Sequence, residues 1–303
     1  MSVDALIHRL HACVVGAALC VAAFDAPART VTVAHTGQTL GAELELPRGR
    51  TLADGAILMV HGTMAHRDMD TMRHLRRLLR DRGHSTLSIN LSLGRDRREG
   101  MFDCAWPSTH RAEDALAEIG VWLDWLRREG ARRVTLLGFS RGGHQAAWFA
   151  AQRPPGALDA VVLLAPIVAG DLAGRYAARF GAPIEPLVAR ARALQSAGEG
   201  GAQLRGVGFL NCERTDVSAD AFLSYYAPRP ESELAATLPR IAAPVLVVVA
   251  GGDEIVRDLD QRIAPLADGQ RVRMTVIPGA DHFFRDLYGE DAADAVDAFL
   301  RQR

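Results

Sequence analysis

Short runs of apolar residues alternate along this chain with longer segments in which apolar residues recur every three or four positions. Continuous apolar runs are typical of parallel strands buried on both faces, and they occupy residues 56–62, 134–137, 160–166 and 245–250. A spacing of three and four is typical of amphipathic helices, and it occupies residues 69–82, 111–128 and 289–301. Strands that alternate with helices predict the α/β class, a mostly parallel sheet with helices on both faces.

The other elements have weaker patterns. Residues 30–35 and 42–46 alternate in polarity on either side of a polar turn, which predicts a hairpin with one half-exposed face. Further strands are predicted at residues 85–91 and 272–277. The regular alternation lapses at residues 168–240, where two helix-like pieces, a glycine-rich break and an aromatic piece occur. We interpret this lapse as a helical cap inserted over the edge of the sheet.

Residues 1–28 differ in composition from the rest of the chain. A weakly basic start precedes an apolar run at residues 13–24 and a small-residue ending, a pattern typical of a cleaved secretory signal peptide. The apolar run is too short to span a bilayer, so no integral membrane span is expected. The sequence therefore predicts one mature domain at residues 29–303, located in the periplasm or secreted. The alternative is a first helix of a cytoplasmic protein.

Two cysteines follow the signal segment. Cys104 and Cys212 lie in stretches that are expected to hang over the same edge of the sheet. Paired cysteines in an exported protein favour a disulfide, and we hypothesise a bridge between these two. Neither cysteine has the spacing to a histidine or another cysteine that a zinc site requires. No metal is therefore expected.

The chain of 303 residues has 35 basic and 36 acidic side chains, and its formal net charge is -1. This balance, without a long basic run, gives no support for a nucleic-acid partner. All 35 basic residues are arginine. The absence of lysine excludes Schiff-base chemistry and a serine-lysine dyad. Nothing in the composition indicates an oligomeric state.

One pentapeptide indicates a nucleophile. The apolar run at residues 134–137 leads into Gly138-Phe139-Ser140-Arg141-Gly142, and an alanine-rich helical pattern follows. Ser140 therefore lies on a predicted turn between a strand and a helix, the setting of a nucleophile elbow. Glycines flank it because a β-carbon there would collide with the neighbouring strand or helix. Glycine and serine also gather in ordinary tight turns, so the pentapeptide alone does not establish a nucleophile.

Two later strand ends supply the partners that such a serine needs. A serine hydroxyl is a weak nucleophile until an imidazole takes its proton, and that imidazole needs a carboxylate to hold its tautomer. Asp253 follows the strand at residues 245–250, and His282 follows the strand at residues 272–277. The chain order Ser140, Asp253, His282 is the order associated with this elbow. Asp253 has the alternative interpretation of a helix N-cap.

The chain resembles the α/β-hydrolase superfamily over essentially its whole mature length. The motifs that carry the resemblance occur in the family's order: His61-Gly62 after the third strand, the elbow glycines and serine, residues 252–256 after the seventh strand, and residues 279–284 after the eighth. The resemblance implies an oxyanion hole made by the backbone N–H groups of Thr63 and Arg141. Met64 replaces Thr63 if the loop is shifted by one residue.

These observations predict a serine hydrolase that cleaves carboxylic esters through an acyl-enzyme, without a cofactor, acting on a small-molecule acyl substrate. Thioesterase, amidase or peptidase activity and acyl transfer to an alcohol are alternatives, because fold analogy does not choose among them. A non-catalytic binding protein of the same fold is a further alternative.

Substrate identity stays open at this stage. The group Arg95, Arg97 and Arg98 precedes apolar residues in one loop, which is either an anion-binding loop or a solvated one. Aromatic residues of the cap either line an acyl pocket or form the cap's own core, and they are Phe209, Phe222, Tyr225 and Tyr226.

Overall fold

The computed structural model describes residues 28–168 and 170–303. The predicted signal segment, as far as residue 27, lies outside the described residues. Within the described part of the chain the strands are β1 (Arg29–His35), β2 (Gln38–Glu45), β3 (Ala56–Val60), β4 (Thr86–Asn90), β5 (Val134–Phe139), β6 (Ala160–Leu164), β7 (Gln203–Phe209), β8 (Cys212–Ser218), β9 (Val245–Ala250) and β10 (Val272–Ile277). The helices are α1 (Asp70–Asp81), α2 (Asp114–Arg128), α3 (Arg141–Ala150), α4 (Leu172–Phe180), α5 (Glu185–Ser196), α6 (Ala219–Tyr226), α7 (Leu234–Thr237), α8 (Leu259–Ile263) and α9 (Tyr288–Arg301).

The central sheet has the strand order β1-β2-β4-β3-β5-β6-β9-β10. In this order, β1 with β2 and β2 with β4 pair antiparallel, and every later pair of neighbours, from β4–β3 to β9–β10, is parallel. The predicted fold class, a mostly parallel sheet with helices on both faces, is therefore confirmed. Because parallel strands end at one edge, the residues that follow β3, β5, β9 and β10 meet there.

Both faces of the sheet are covered, which explains the continuous apolar runs. Along β3, Leu58 and Val60 belong to the apolar layer that includes α2 and α3, while Ile57 and Met59 belong to the layer that includes α1 and α9. Successive strand side chains point to opposite faces, so a strand that is covered twice needs an apolar residue at every position. Each such side chain contributes roughly 1.5 to 3 kcal/mol when it is fully buried.

The first hairpin differs from its predicted bounds. Its turn contains only Thr36 and Gly37, so β2 begins at Gln38 rather than at residue 42. Both turn residues have positive φ, at 46° and 78°, which matches the two-residue turns whose twist fits antiparallel strands. Threonine is uncommon at such a φ, and for this reason the sequence did not reveal the short turn.

The segment between β6 and β9 is not purely helical. Helices α4 and α5 occur close to the two helix-like pieces that the sequence predicts, but β7 and β8 form a separate antiparallel hairpin that it does not predict. The register of this hairpin shifts twice, on either side of Val207, and Gly206 has a φ of 61°. These irregularities break the polar-apolar alternation by which a strand is recognised.

The cap aromatics divide between the two interpretations. Phe209, Phe222 and Tyr226 are buried together in the cap's own apolar cluster. Tyr225 is only partly buried, and the guanidinium carbon of Arg141 lies 5.3 Å from the centre of its ring. Most of these aromatics therefore stabilise the cap, and Tyr225 faces the body of the protein.

Cys104 and Cys212 form the disulfide that the sequence predicts, with their Cα atoms 5.4 Å apart. The bridge joins the loop before α2 to the first residue of β8. It therefore ties the cap hairpin to the body of the domain, across 108 residues of chain.

We expect the double variant Cys104→Ala/Cys212→Ala to lose roughly 2 to 4 kcal/mol of unfolding free energy, because closing a loop of this length restricts the unfolded chain. Urea denaturation of both proteins measures the loss. A reducing agent should lower the stability of the wild type towards that of the variant and leave the variant unchanged. Equal stability of the two oxidised proteins would contradict the expectation.

Candidate active site

Ser140 lies between β5 and α3 with φ of 55° and ψ of -119°. This is a sparsely populated conformation for a non-glycine residue, and it requires close packing on both sides to persist. A β-carbon at Gly138 would lie 2.2 Å from the carbonyl oxygen of Gly142, and one at Gly142 would lie 2.3 Å from the carbonyl oxygen of His61. Glycine is therefore required at both positions, for the reason given by the sequence.

The three residues that the sequence predicts as nucleophile, base and carboxylate are brought together in one hydrogen-bonded chain. The Ser140 Oγ lies 2.9 Å from His282 Nε2, and His282 Nδ1 lies 2.7 Å from Asp253 Oδ2. The serine donates to Nε2 and the histidine donates from Nδ1, because the carboxylate can only accept. Only 5% of the His282 side chain and 3% of the Asp253 side chain are exposed, so water does not compete with this contact.

Asp253 is the carboxylate that contacts the histidine, and the alternative interpretation as a helix N-cap is wrong. Its Oδ1 accepts hydrogen bonds from the backbone N–H groups of Ile255 and Val256, at 2.7 and 2.8 Å, while its Oδ2 faces the histidine. The turn lies before α8, whose N-cap is Asp258, so Asp253 does not cap that helix. The two amides hold the carboxylate in one orientation and leave its second oxygen for His282.

The loop after β3 lies against the elbow. A β-carbon at Gly62 would come within 3.3 Å of the Ser140 Cβ, so the backbone of this loop passes beside the serine. Within the described residues, the backbone N–H groups of Thr63, Met64 and Arg141 have no hydrogen-bond acceptor. These are the groups that the resemblance implies for an oxyanion hole, and the fallback Met64 is among them. We call residues 61–65 the oxyanion loop.

His61 and Arg98 support the oxyanion loop from beneath. His61 Nδ1 donates to the carbonyl of Gly62 at 2.9 Å, and its Nε2 accepts from the backbone N–H of Leu91 at 3.1 Å. Burial, together with the charge of Arg98, lowers the pKa of His61 to about 3. The imidazole is therefore neutral and serves as a structural link between the loop and the end of β4.

Arg98 is buried, and its guanidinium donates to backbone carbonyls on two segments. It binds Leu91 O at 2.8 Å, Ala65 O at 2.8 Å and the carbonyl of Gly100. Burial lowers its pKa to about 10. Within the described part of the chain, no carboxylate lies within 4 Å of it. Neither interpretation of the arginine loop holds for this residue, because Arg98 is neither solvated nor free to bind an anion.

The other two arginines of that loop, Arg95 and Arg97, have contacts near the surface of the protein. Arg95 lies over the ring of Trp106 at 5.1 Å, and the side chain of Arg97 is 73% exposed beside Asp96. Of the two interpretations that the sequence left open, the solvated one therefore holds for Arg97. The sequence missed the structural role of Arg98, since the partners of this residue lie on other segments and leave no local pattern.

A groove of about 880 Å³ opens beside the histidine. Its apolar lining includes Met69, Met101, Phe283 and Phe284. Phe283 follows His282 in the chain, and its ring centre lies 5.2 Å from that of the imidazole. The groove adjoins the site through Phe283, and Ser140, Asp253 and His282 are not among its lining residues.

Two further features of the described residues bear on chemistry. No group of three or more His, Cys, Asp or Glu side chains in that part of the chain is arranged to hold a metal ion. None of the helices described there is long and apolar enough to cross a membrane.

Replacing Arg98 by leucine should lower the unfolding free energy by at least about 3 kcal/mol, because several buried carbonyls lose their donor. The neighbouring Arg97→Leu change is a matched control, since that side chain is exposed, and it should alter stability by less than about 0.5 kcal/mol. Urea denaturation of both variants measures the difference. Similar stabilities for the two variants would show that the contacts of Arg98 do not support the loop.

The stability of the protein should fall below neutral pH because buried histidines are held neutral. Burial, and then the charge of Arg98, lowers the pKa of His110 to about 3, against an ordinary value of 6.5. The unfolded chain therefore binds a proton that the folded chain does not between these two pH values. The stabilisation is complete above the unfolded pKa, and it is lost progressively as the pH falls from about 6.5 towards 3.

Between pH 7 and pH 5 the unfolding free energy of the wild type should fall by about 2 kcal/mol more than that of the His110→Phe variant. Urea denaturation at the two pH values measures both losses. Burial raises the pKa of Glu118 to about 7, which gives the opposite slope, but this carboxyl is present in both proteins and cancels in the comparison. Parallel pH profiles for the two proteins would rule out the contribution of His110.

Comparison with known proteins agrees with this architecture. The Alpha/beta hydrolase family matches residues 57–299 of the chain. Est1E from Butyrivibrio proteoclasticus is structurally similar over 90% of this chain and 98% of its own, with 16% sequence identity and a TM-score of 0.66. A structure of Est1E with ferulic acid bound gives 18% identity and a TM-score of 0.67, with the same coverage of both chains.

Two other solved structures share the fold at low identity. A dienelactone hydrolase from Anabaena variabilis covers 91% of this chain and 97% of its own, with 20% identity and a TM-score of 0.56. An esterase from Pyrococcus furiosus covers 91% of both chains, with 16% identity and a TM-score of 0.59. No curated protein sequence matches the chain. Because the family match spans most of its length, the chain belongs to the alpha/beta hydrolase family.

Proposed function

We propose that this protein is a serine hydrolase that cleaves carboxylic esters through an acyl-enzyme. The observation that carries the proposal is the continuous hydrogen-bonded chain from Ser140 Oγ through His282 to Asp253 Oδ2, with contacts of 2.9 and 2.7 Å. In this geometry the imidazole is able to accept the serine proton while the carboxylate stabilises the resulting cation.

The proposed reaction has two halves. Ser140 Oγ attacks the ester carbonyl carbon as its proton passes to His282 Nε2, and the tetrahedral intermediate then breaks its bond to the alcohol oxygen. The departing alcohol takes the proton from His282, which leaves an ester between Ser140 and the acyl group. Water then attacks this ester with His282 as base, and the serine recovers its proton as the carboxylic acid leaves.

In both halves a negative oxygen develops on the former carbonyl. We assign its stabilisation to the backbone N–H groups of Thr63 and Arg141. The Arg141 amide begins α3, where unpaired N–H groups and the positive end of the helix dipole favour an anion. Loss of one such donor in a comparable hydrolase costs roughly 3 to 4 kcal/mol of transition-state stabilisation.

Structurally similar proteins favour ester cleavage over its alternatives. Two of the similar proteins are an esterase and a dienelactone hydrolase, and Est1E binds ferulic acid, a carboxylic acid of the kind that ester hydrolysis releases. Thioester cleavage, amide or peptide cleavage and acyl transfer use the same groups and stay as alternatives. A binding protein without activity would have no need of a buried serine-histidine contact.

We further infer that the mature protein works outside the cytoplasm. The disulfide between Cys104 and Cys212 supports this inference, because such bridges persist in oxidising compartments. The signal-like composition of residues 1–28 is consistent with it.

A fluorophosphonate probe should label the purified protein on Ser140, located by mass spectrometry of the modified peptide. Labelling and ester turnover should both be lost in Ser140→Ala, and labelling should fall steeply in His282→Ala, since the base that activates the serine is missing. Ser196→Ala changes an exposed serine at the end of α5 and should label like the wild type. Labelling that survives in Ser140→Ala would reject the proposed nucleophile.

A further inference from the structure

The side chain of Arg141 is a cation beside the nucleophile that has no anionic partner. Within the described residues, no carboxylate lies within 4 Å of its guanidinium. Its Nε donates to Thr63 Oγ1 at 3.2 Å, and the Tyr225 ring packs against its guanidinium carbon at 5.3 Å. Burial lowers the pKa of this arginine, which reflects the water that its charge has lost.

These contacts orient the guanidinium and leave part of its hydrogen-bonding capacity unused. Nε is one of its five N–H donors, and the two terminal nitrogens make no hydrogen bond within the described part of the chain. The side chain is partly exposed, so these nitrogens are not enclosed by protein. A guanidinium that has lost part of its hydration, is held in place and has N–H donors to spare is well suited to bind an anion.

A second group of positive charge, formed by Arg175 and Arg262, lies within electrostatic range of Arg141. Burial and the nearby charge of Arg262 lower the pKa of Arg175, and Arg141 contributes to the same effect. The terminal nitrogens of Arg175 and Arg262 both lie about 3 Å from the position of a β-carbon built on Gly170, so the two cations are adjacent. The carboxylates of Asp171 and Glu233 raise the pKa of Arg175, but neither forms an ion pair with Arg175 or Arg262.

Arg98 shows the contacts of an arginine that braces the interior of this protein, and Arg141 lacks such contacts. Among the residues that the structure describes, neither arginine has a carboxylate within 4 Å, but Arg98 donates to several backbone carbonyls, including Leu91 O and Ala65 O. In the same part of the chain Arg141 donates to one hydroxyl only. The difference points to a ligand for Arg141 that comes from outside the chain.

We propose that Arg141 binds a carboxylate carried by the substrate, so that the preferred esters are anionic. A carboxylate is the natural partner of a guanidinium, because its two oxygens match two parallel N–H donors. Arg141 Nε binds Thr63 Oγ1, and the backbone of the adjacent Gly62 passes beside Ser140. We therefore place the anion close to the scissile bond, as in half-esters of short dicarboxylic acids or esters of a hydroxy acid. This inference rests on the proposed ester hydrolysis and names its substrate class.

Two pairs of esters test the proposal. The acyl side is probed by 4-nitrophenyl hydrogen glutarate against 4-nitrophenyl valerate, whose five-carbon chains end in a carboxylate and a methyl group. The alcohol side is probed by 3-acetoxybenzoate against phenyl acetate. For each protein variant, the ratio of kcat/KM for the charged ester to that for the neutral ester is measured. This ratio cancels any general effect of a substitution on the oxyanion hole.

We expect the wild type to prefer the charged ester of at least one pair. Arg141→Gln should lower that ratio at least about tenfold, the loss expected for a hydrogen-bonded charge pair. Arg141→Lys keeps the charge without the paired donors, so its ratio should lie between those of the wild type and Arg141→Gln. Arg97→Gln removes an exposed arginine and should leave the ratio within about twofold of the wild type. The pair that responds shows which side of the ester carries the anion.

The proposal is overturned if the wild type prefers neither charged ester, or if Arg141→Gln keeps the wild-type ratio in both pairs. Turnover of the neutral esters alone would leave the hydrolase assignment intact. If no ester is turned over, that assignment fails, and calorimetry with glutarate then tests the arginine separately. Glutarate should bind the wild type and Arg97→Gln alike, and at least about tenfold more weakly to Arg141→Gln. Absent binding, or equal binding by Arg141→Gln, overturns the proposal.

Discussion

The close approach of three backbone segments at the elbow is the constraint on which the rest of the site depends. The end of β5, the first turn of α3 and the loop after β3 meet at distances that exclude a β-carbon, 2.2 Å at Gly138 and 2.3 Å at Gly142. This packing maintains the unusual backbone angles of Ser140. It also brings the oxyanion loop beside the serine, since a β-carbon at Gly62 would lie 3.3 Å from the Ser140 Cβ.

The oxyanion loop is held in place by contacts from several separate parts of the chain. Arg98 binds Ala65 O from within the body, the backbone N–H of Phe102 donates to Met64 O at 2.9 Å, and Asn211 at the tip of the cap hairpin donates to Thr63 O at 3.3 Å. The disulfide attaches the hairpin to the segment that carries Phe102. The proposed oxyanion hole needs such support, because misplaced donors stabilise a transition state poorly.

The titratable groups around the site show how burial selects protonation states. His61 and His110 are neutral because a buried imidazolium near arginines would be costly, and each has a structural contact that a neutral ring can make, to Gly62 O and to the Tyr225 hydroxyl. Glu118, buried beneath Ser92, has a raised pKa for the same reason. The arginines do not have this option, because guanidinium keeps its proton at physiological pH. Arg98 is satisfied by carbonyls, whereas the side chain of Arg141 is left to an external anion.

The α/β class, the elbow and the convergence of Ser140, Asp253 and His282 could be predicted from the amino-acid sequence. These depend on local patterns and on one geometric rule, that parallel strands end at a common edge. The partners of each arginine and the hairpin in the cap could not be predicted and are known from the three-dimensional structure. Hydrogen bonds such as those of Arg98 join segments that are distant in the chain, and the bulges of β7 erase the alternation of a strand. Neither feature leaves a periodic pattern, so three-dimensional packing alone specifies them.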